Sequence, residues 1–287
     1  MARSVPEPFE LHSAPLERPV ADLSLLERSL LFAELSKIAY LNEEYAEPYV
    51  KQLGFEEDVF LEADGAQAYV FSDGLDRVIV CRGTEPNDWN DIRADARTSM
   101  VLAETVGRVH RGFKREVDDL WPQLDDYLAD NTLTLWFTGH SLGGAMATLC
   151  AGRCFLSDIA SNPRAIYSFG SPRVGDRQYI HYVAIEHIRW VNNNDIITRS
   201  PPAWMRYRHS GQEIYIDHKG RVHRRISPRQ KAEDRSRGLW EALRKRRIDY
   251  LADHAVDDYI AHIFAATQRP PAAPRPRPFR ARRPRPG

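Results

Sequence analysis

Across 287 residues, 40 Lys and Arg balance 40 Asp and Glu, and 43% of positions are hydrophobic; mean hydropathy is −0.51. That length suffices for a large core, as one big α/β domain or two small ones. The charge balance excludes a uniformly basic nucleic-acid coat, and the lack of any apolar run of about 18 residues excludes a membrane-spanning helix.

In chain order, the opening Met1–Pro8 lacks the apolar stretch of a secretory leader, so the expected location is cytoplasmic, with leaderless export left open. Residues 1–20 read as an N-terminal extension and 21–268 as the folded domain. Leu23–Leu41 repeats apolar residues at helical spacing, with Leu26, Leu30, Ala33, Ile38 and Ala39 on one buried face. Ala66–Ser72 and Arg77–Cys81 are short β-rich runs around the turn signal Asp73-Gly74. Phe113–Leu128 is helical in pattern, and Leu133–Thr138 is a nearly all-apolar strand of the kind buried on both sheet faces. Helix Leu142–Leu156 and strands Ala165–Gly170 and Ile188–Val191 follow. This alternation predicts an α/β fold whose central sheet is mostly parallel and flanked by helices. Three cysteines make no disulfide framework, which favours a reducing compartment. Cys150 and Cys154, four apart on one helix, read as core, and no cluster has the spacing of a metal site; neither metal nor organic cofactor is expected.

Residues 221–247 carry eleven Lys or Arg against three acids. Leu239, Trp240, Leu243 and Leu251 share a helical face there. This predicts an inserted surface helix that packs its apolar stripe on the domain, or, alternatively, a helix that meets an anionic membrane or partner. Residues 269–287 hold seven Arg, seven Pro and no acid. Such a segment reads as a disordered tail with polyproline-like stretches.

The strongest chemical signal is Gly139-His140-Ser141-Leu142-Gly143, because it follows a buried strand directly and opens an apolar helix. A nucleophile at a strained strand-to-helix turn needs small neighbours two residues to either side, and Gly139 and Gly143 supply them. Ser141 then stands at a helix N-terminus, where the N–H of Leu142 points to the place of a tetrahedral oxyanion. A serine hydroxyl needs a base, and the base needs an orienting acid; in this architecture the acid and then the histidine follow the serine. Asp195 lies in the loop after strand Ile188–Val191, at the edge where open α/β sheets place ligands. His254, just before the final helix, is the first choice of base. His209 is the second, although a satisfied structural imidazole is its more natural role. His140 is expected to pack behind the elbow.

The chain resembles the class 3 (fungal-type) lipase family of α/β-hydrolases from about Leu30 to Ala265. The resemblance rests on Cys81-Arg82-Gly83-Thr84, the following Asp88-Trp89 and Asp91, Val109-His110-Arg111-Gly112-Phe113, the Thr138–Ala145 elbow, Ser168–Gly175, Asn194-Asp195 ahead of Pro201-Pro202, and Asp253–Tyr259. It implies an α/β-hydrolase fold, with Ser141 as nucleophile, Asp195 as orienting acid and His254 as base. It also implies a second oxyanion donor at Thr84, which otherwise merely ends a strand, and a lid over roughly Pro86 to Val106, where Ala94–Val106 is only mildly amphipathic. Trp89 is acyl-pocket wall or plain core. His110 and Arg173 read as supports of the site. The expected activity is hydrolysis of lipid carboxylic esters, of lipase or esterase type with phospholipase action also open. The alternative is an inactive scaffold that binds anionic lipid or polyanion through 221–247 and 269–287. The substrate partner is a lipid or small ester, nucleic acid is not expected, and the oligomeric state is not legible.

Overall fold

The computed structural model describes residues 7–83, 99–157, 162–244 and 252–269. The helices are α1 (Leu25–Ile38), α2 (Glu43–Gln52), α3 (Arg111–Leu128), α4 (Leu142–Leu156), α5 (Arg177–Tyr182), α6 (Pro228–Arg244) and α7 (Val256–Thr267). The strands are β1 (Glu57–Ala63), β2 (Ala66–Ser72), β3 (Asp76–Cys81), β4 (Met100–Leu102), β5 (Arg108–His110), β6 (Thr134–His140), β7 (Pro163–Phe169), β8 (His187–Asn192), β9 (Gln212–Ile216) and β10 (Val222–His223). Eight of them form one sheet in the order β1-β2-β3-β6-β7-β8-β9-β10. The run from β3 to β9 is parallel, and antiparallel pairs close both sides.

The sheet separates two apolar layers, and strand alternation decides which residue enters which. Val78 and Val80 of β3 and Trp136 of β6 join the layer of α1 and α7, whereas Ile79, Cys81, Leu135 and Phe137 join that of α3 and α4. Helix α3 buries Phe113, Val117, Leu120, Leu124 and Leu128, a stripe at helical spacing. Helix α4 is buried on nearly every side from Leu142 to Cys154. Helix α1 starts after Ser24, whose hydroxyl accepts from the Glu27 N–H while the Glu27 carboxylate accepts from the Ser24 N–H, a reciprocal cap. All three cysteines are buried.

The stretch before Val20 is not a loose appendage where it is described. Phe9, Leu11 and Leu16 pack on the α1 layer. The Glu34 carboxylate accepts from the backbone of His12 and Ser13, and the buried Asp76 accepts from the Val20 N–H at 2.8 Å. Burial pushes the Asp76 carboxyl up despite that bond and one from the Trp136 indole.

Met100–Leu102, inside the segment expected to be a lid, is a strand paired with β5. Residues 86–98 of that expectation lie outside the described residues, as do 270–287 of the tail. The basic region does form a helix, α6, but its orientation differs from the first of the two expected. Lys231 and the residues three, four and seven positions after it, Asp234, Arg235 and Gly238, face the body. Lys231 pairs with Glu213, Asp234 accepts from the Tyr215 hydroxyl at 2.9 Å, and Arg235 donates to the Asn193 carbonyl at 3.1 Å. Leu239 and Trp240 are 46% and 70% exposed. The apolar residues point outward because the surface beneath offers Glu213, Tyr215 and backbone carbonyls, which suit charge rather than hydrocarbon. Leu243 and Leu251 are not among the residues whose side chains are described. No helix among the described residues is long and apolar enough to cross a membrane.

Candidate active site

Strand β6 delivers Gly139 and His140 to the edge of the sheet and turns at Ser141 into α4. Ser141 has φ 60° and ψ −129°, a backbone conformation that costs a non-glycine residue of order 1–3 kcal/mol. The turn is possible because nothing projects from its flanks. A Cβ on Gly139 would lie 2.4 Å from the Gly143 backbone, and one on Gly143 would lie 2.1 Å from the Cys81 carbonyl oxygen. The Ser141 N–H donates to the Phe169 carbonyl at 2.9 Å, which ties the bend to the end of β7. Leu142 opens α4 and is buried, so its N–H belongs to the unpaired first turn of a helix.

The structure brings Ser141, His254 and Asp195 together across 113 residues of chain. His254 Nε2 stands 2.8 Å from Ser141 Oγ, and His254 Nδ1 stands 2.9 Å from Asp195 Oδ2. A carboxylate only accepts; Nδ1 therefore carries the proton and Nε2 is free to accept from the serine hydroxyl. All three residues are buried. Asp195 Oδ1 accepts from the Ile197 N–H at 2.9 Å, so neither carboxylate oxygen is left bare. Just after β7, Gly170 (φ +63°) makes room for this pair, since a Cβ there would come 2.8 Å from Asp195 Oδ2 and 2.9 Å from the His254 ring.

His209 points elsewhere: its Nε2 donates to the Thr198 carbonyl at 2.7 Å, and burial together with Arg189 and Arg173 holds its pKa well below the usual range. Arg173 donates to the carbonyls of Arg199 and Pro201. Both side chains thus brace the segment that follows Asp195. His110 caps α3, accepting from the Phe113 N–H through Nδ1. His140 is buried beside the elbow, as expected from its position. Thr84 and Trp89 lie outside the described residues.

Several contributors are missing from the sequence reading. The Tyr259 hydroxyl donates to Asp195 Oδ2 at 2.6 Å and accepts from the Asn192 N–H at 3.0 Å. Burial, then the Asp195 charge, holds the phenol well above its ordinary pKa, so it remains a donor. The Asn192 amide donates to the Asp253 carbonyl at 3.1 Å, and the Asn194 N–H donates to the Asp253 carboxylate at 3.1 Å. The signal for all of these lay in the asparagine run before Asp195 and in the Asp253–Tyr259 segment, but a tyrosine on a helix reads first as core.

Away from this rim, Asp217, His218 and Asp234 place ligand atoms within 4.8 Å of one another. Asp217 already accepts from the Arg221 and His223 side chains at 2.8 Å each. The group therefore serves as a hydrogen-bonded tie between α6 and the β9–β10 turn.

Residues 78–205 match the profile of the "Lipase (class 3)" family. Over 119 residues the chain is 34% identical to a lipase of Rhizomucor miehei, covering 38% of this chain and 33% of that one. Over 164 residues it is 35% identical to a secreted mono- and diacylglycerol lipase of Fusarium solani, covering 53% and 48%. The match thus spans about a third to a half of the length of these relatives. The fold matches the solved triacylglyceride lipase of Rhizomucor miehei with a TM-score of 0.58 at 24% identity, covering 69% of this chain and 82% of that chain.

Proposed function

We propose that this chain, whose residues 78–205 match the class 3 lipase profile, is a serine hydrolase that cleaves carboxylic esters of lipids by way of an acyl-enzyme. The observation that carries the reading is the unbroken hydrogen-bond line from Ser141 Oγ through His254 to Asp195. Ser141 Oγ attacks the acyl carbon as His254 Nε2 takes its proton, and Asp195 stabilises the imidazolium that forms. The Leu142 N–H, together with the backbone or hydroxyl of Thr84, receives the oxyanion, a donor of this kind being worth about 2.7–4 kcal/mol in the transition state. The imidazolium then protonates the departing alkoxide. A water, deprotonated by the same Nε2, attacks the acyl-enzyme, releases the acid and restores the serine.

No step in this sequence calls for a metal or an organic cofactor. Leu239 and Trp240, exposed on a basic helix, favour one addition to the reading: α6 lays this apolar pair on an anionic lipid surface.

A fluorophosphonate probe tests the core of the reading. Wild type is expected to take one label and Ser141→Ala none, while wild type hydrolyses p-nitrophenyl esters in a series of two to eighteen carbons that ranks the acyl preference. Equal labelling of the two proteins, or no turnover of any ester, overturns it.

A further inference from the structure

We propose that His140 is a positioning residue that grips the backbone of His254 and so sets the distance between base and nucleophile. This inference rests on the reading of Ser141 and His254 given above. His140 Nε2 stands 2.6 Å from the carbonyl oxygen of His254. A carbonyl can only accept, so Nε2 carries a hydrogen. In a neutral imidazole the other nitrogen is then an acceptor, and Tyr40 supplies the donor, its hydroxyl 2.9 Å from Nδ1. Tyr40 thereby selects the tautomer that His254 needs. Burial, then the charge on His254, pushes the His140 pKa well below the usual histidine range, so the ring stays neutral when its neighbour, 4.6 Å away between centroids, becomes an imidazolium.

The placement gives this bond its meaning. His140 and Ser141 share a peptide bond at the end of β6. The group that holds the base is therefore referenced to the same strand end as the nucleophile. The turn Ala252–His254 is held a second time from the end of β8 and the loop after it, where Asn192 and Asn194 engage Asp253 just ahead of Asp195. The strand ends that bring the other two members of the line thus each clamp the turn that carries the third. Removal of the His140 donor would take this bond from a buried carbonyl and let the imidazole drift, and a misplacement of about 1 Å at a reacting group can cost about 100-fold.

The test compares wild type, His140→Gln and His140→Phe in turnover of a soluble p-nitrophenyl ester and in the rate of fluorophosphonate labelling. The glutamine amide nitrogen reaches as far from Cα as Nε2 and can donate to the same carbonyl; phenylalanine keeps a ring without a donor. His140→Phe is expected to lower kcat about 10- to 100-fold with KM within about two-fold, and His140→Gln to recover kcat to within about five-fold of wild type. A His140→Phe protein that melts with wild type and turns over at the wild-type rate overturns the inference, as does equal impairment of the two variants. If His140→Phe does not fold, Tyr40→Phe decides: a several-fold fall in kcat at unchanged KM supports the grip, and an unchanged kcat overturns it. A wild type that fails to label takes down the reading of the nucleophile itself, whereas a labelled wild type beside an equally fast His140→Phe takes down this inference alone.

Discussion

The rim that gathers Ser141, His254 and Asp195 and the basic helix α6 meet at Asn193 and Asn194, yet they are held by different means. At the rim the polar groups are buried and matched by short, uncharged or singly charged hydrogen bonds: Tyr259 and the Ile197 N–H on Asp195, the two asparagines on Asp253, His140 on the His254 carbonyl. On α6 the ties include a full ion pair, Lys231 with Glu213, and a hydrogen bond between Asp234 and the His218 ring, while Leu239 and Trp240 face outward. The difference shows what each region can tolerate. A buried polar group that loses its partner forfeits its whole desolvation cost, whereas an ion pair that keeps some contact with water is partly screened and changes less.

Substitutions at the two regions should therefore separate by orders of magnitude. The largest effect is expected at Asp195→Asn, with kcat on a p-nitrophenyl ester down by about 10⁴ while the melting temperature shifts only slightly; a loss below ten-fold would break the contrast at its strong end.

Next comes Asp217, which joins the β9–β10 turn below α6. Burial pushes its carboxyl up, but hydrogen bonds from His223, Arg221 and Lys219 hold it down at about 2. An acid depressed in the fold stabilises it above the unfolded value near 3.8 and loses that stabilisation as pH falls toward 2. Asp217→Asn is expected to cost about 1–2 kcal/mol at neutral pH, after allowance for solvent screening, and to flatten the fall of stability between about pH 4 and pH 2. Urea melts across that range check it, and a variant with an unaltered pH profile would remove the ion-paired tie from the comparison.

The smallest effect on stability is expected for the double variant Leu239→Ala, Trp240→Ala, within about 0.5 kcal/mol in urea. Its partition onto vesicles containing anionic lipid should nonetheless fall several-fold, since exposed apolar area is what such a helix contributes. Unchanged partition would leave α6 as a plain structural helix.

How much of this was legible depends on whether local chemistry alone decides the outcome. The elbow was, because two glycines around Ser141 answer to one backbone bend, and the bounds expected for α4 coincide with those observed. So was β2, a short β-rich run beside a turn signal. Strands β4 and β10, three and two residues long, are too short to show a period. Helix α1 was recognised, but its burial extends beyond one face to Ser29, Glu34 and Ser36, because α7 and the N-terminal stretch cover what a surface helix would expose. The first of the two orientations expected for α6 does not hold because an amphipathic pattern presumes an apolar partner. Its actual neighbour presents Glu213 and Tyr215, and only tertiary structure reveals that. The same holds for Tyr259, whose partner Asp195 lies 64 residues earlier.

The seating of α7 against α1 has a consequence for how the chain comes to life. Those two helices share one apolar layer and are joined by the Lys37–Asp257 ion pair, although more than 200 residues separate them. The turn that carries His254 leads directly into this late helix. A ribosome emitting the chain therefore releases Ser141 and all the described strands of the sheet before His254 arrives, and under the proposed reading the nascent protein stays chemically unarmed until α7 docks.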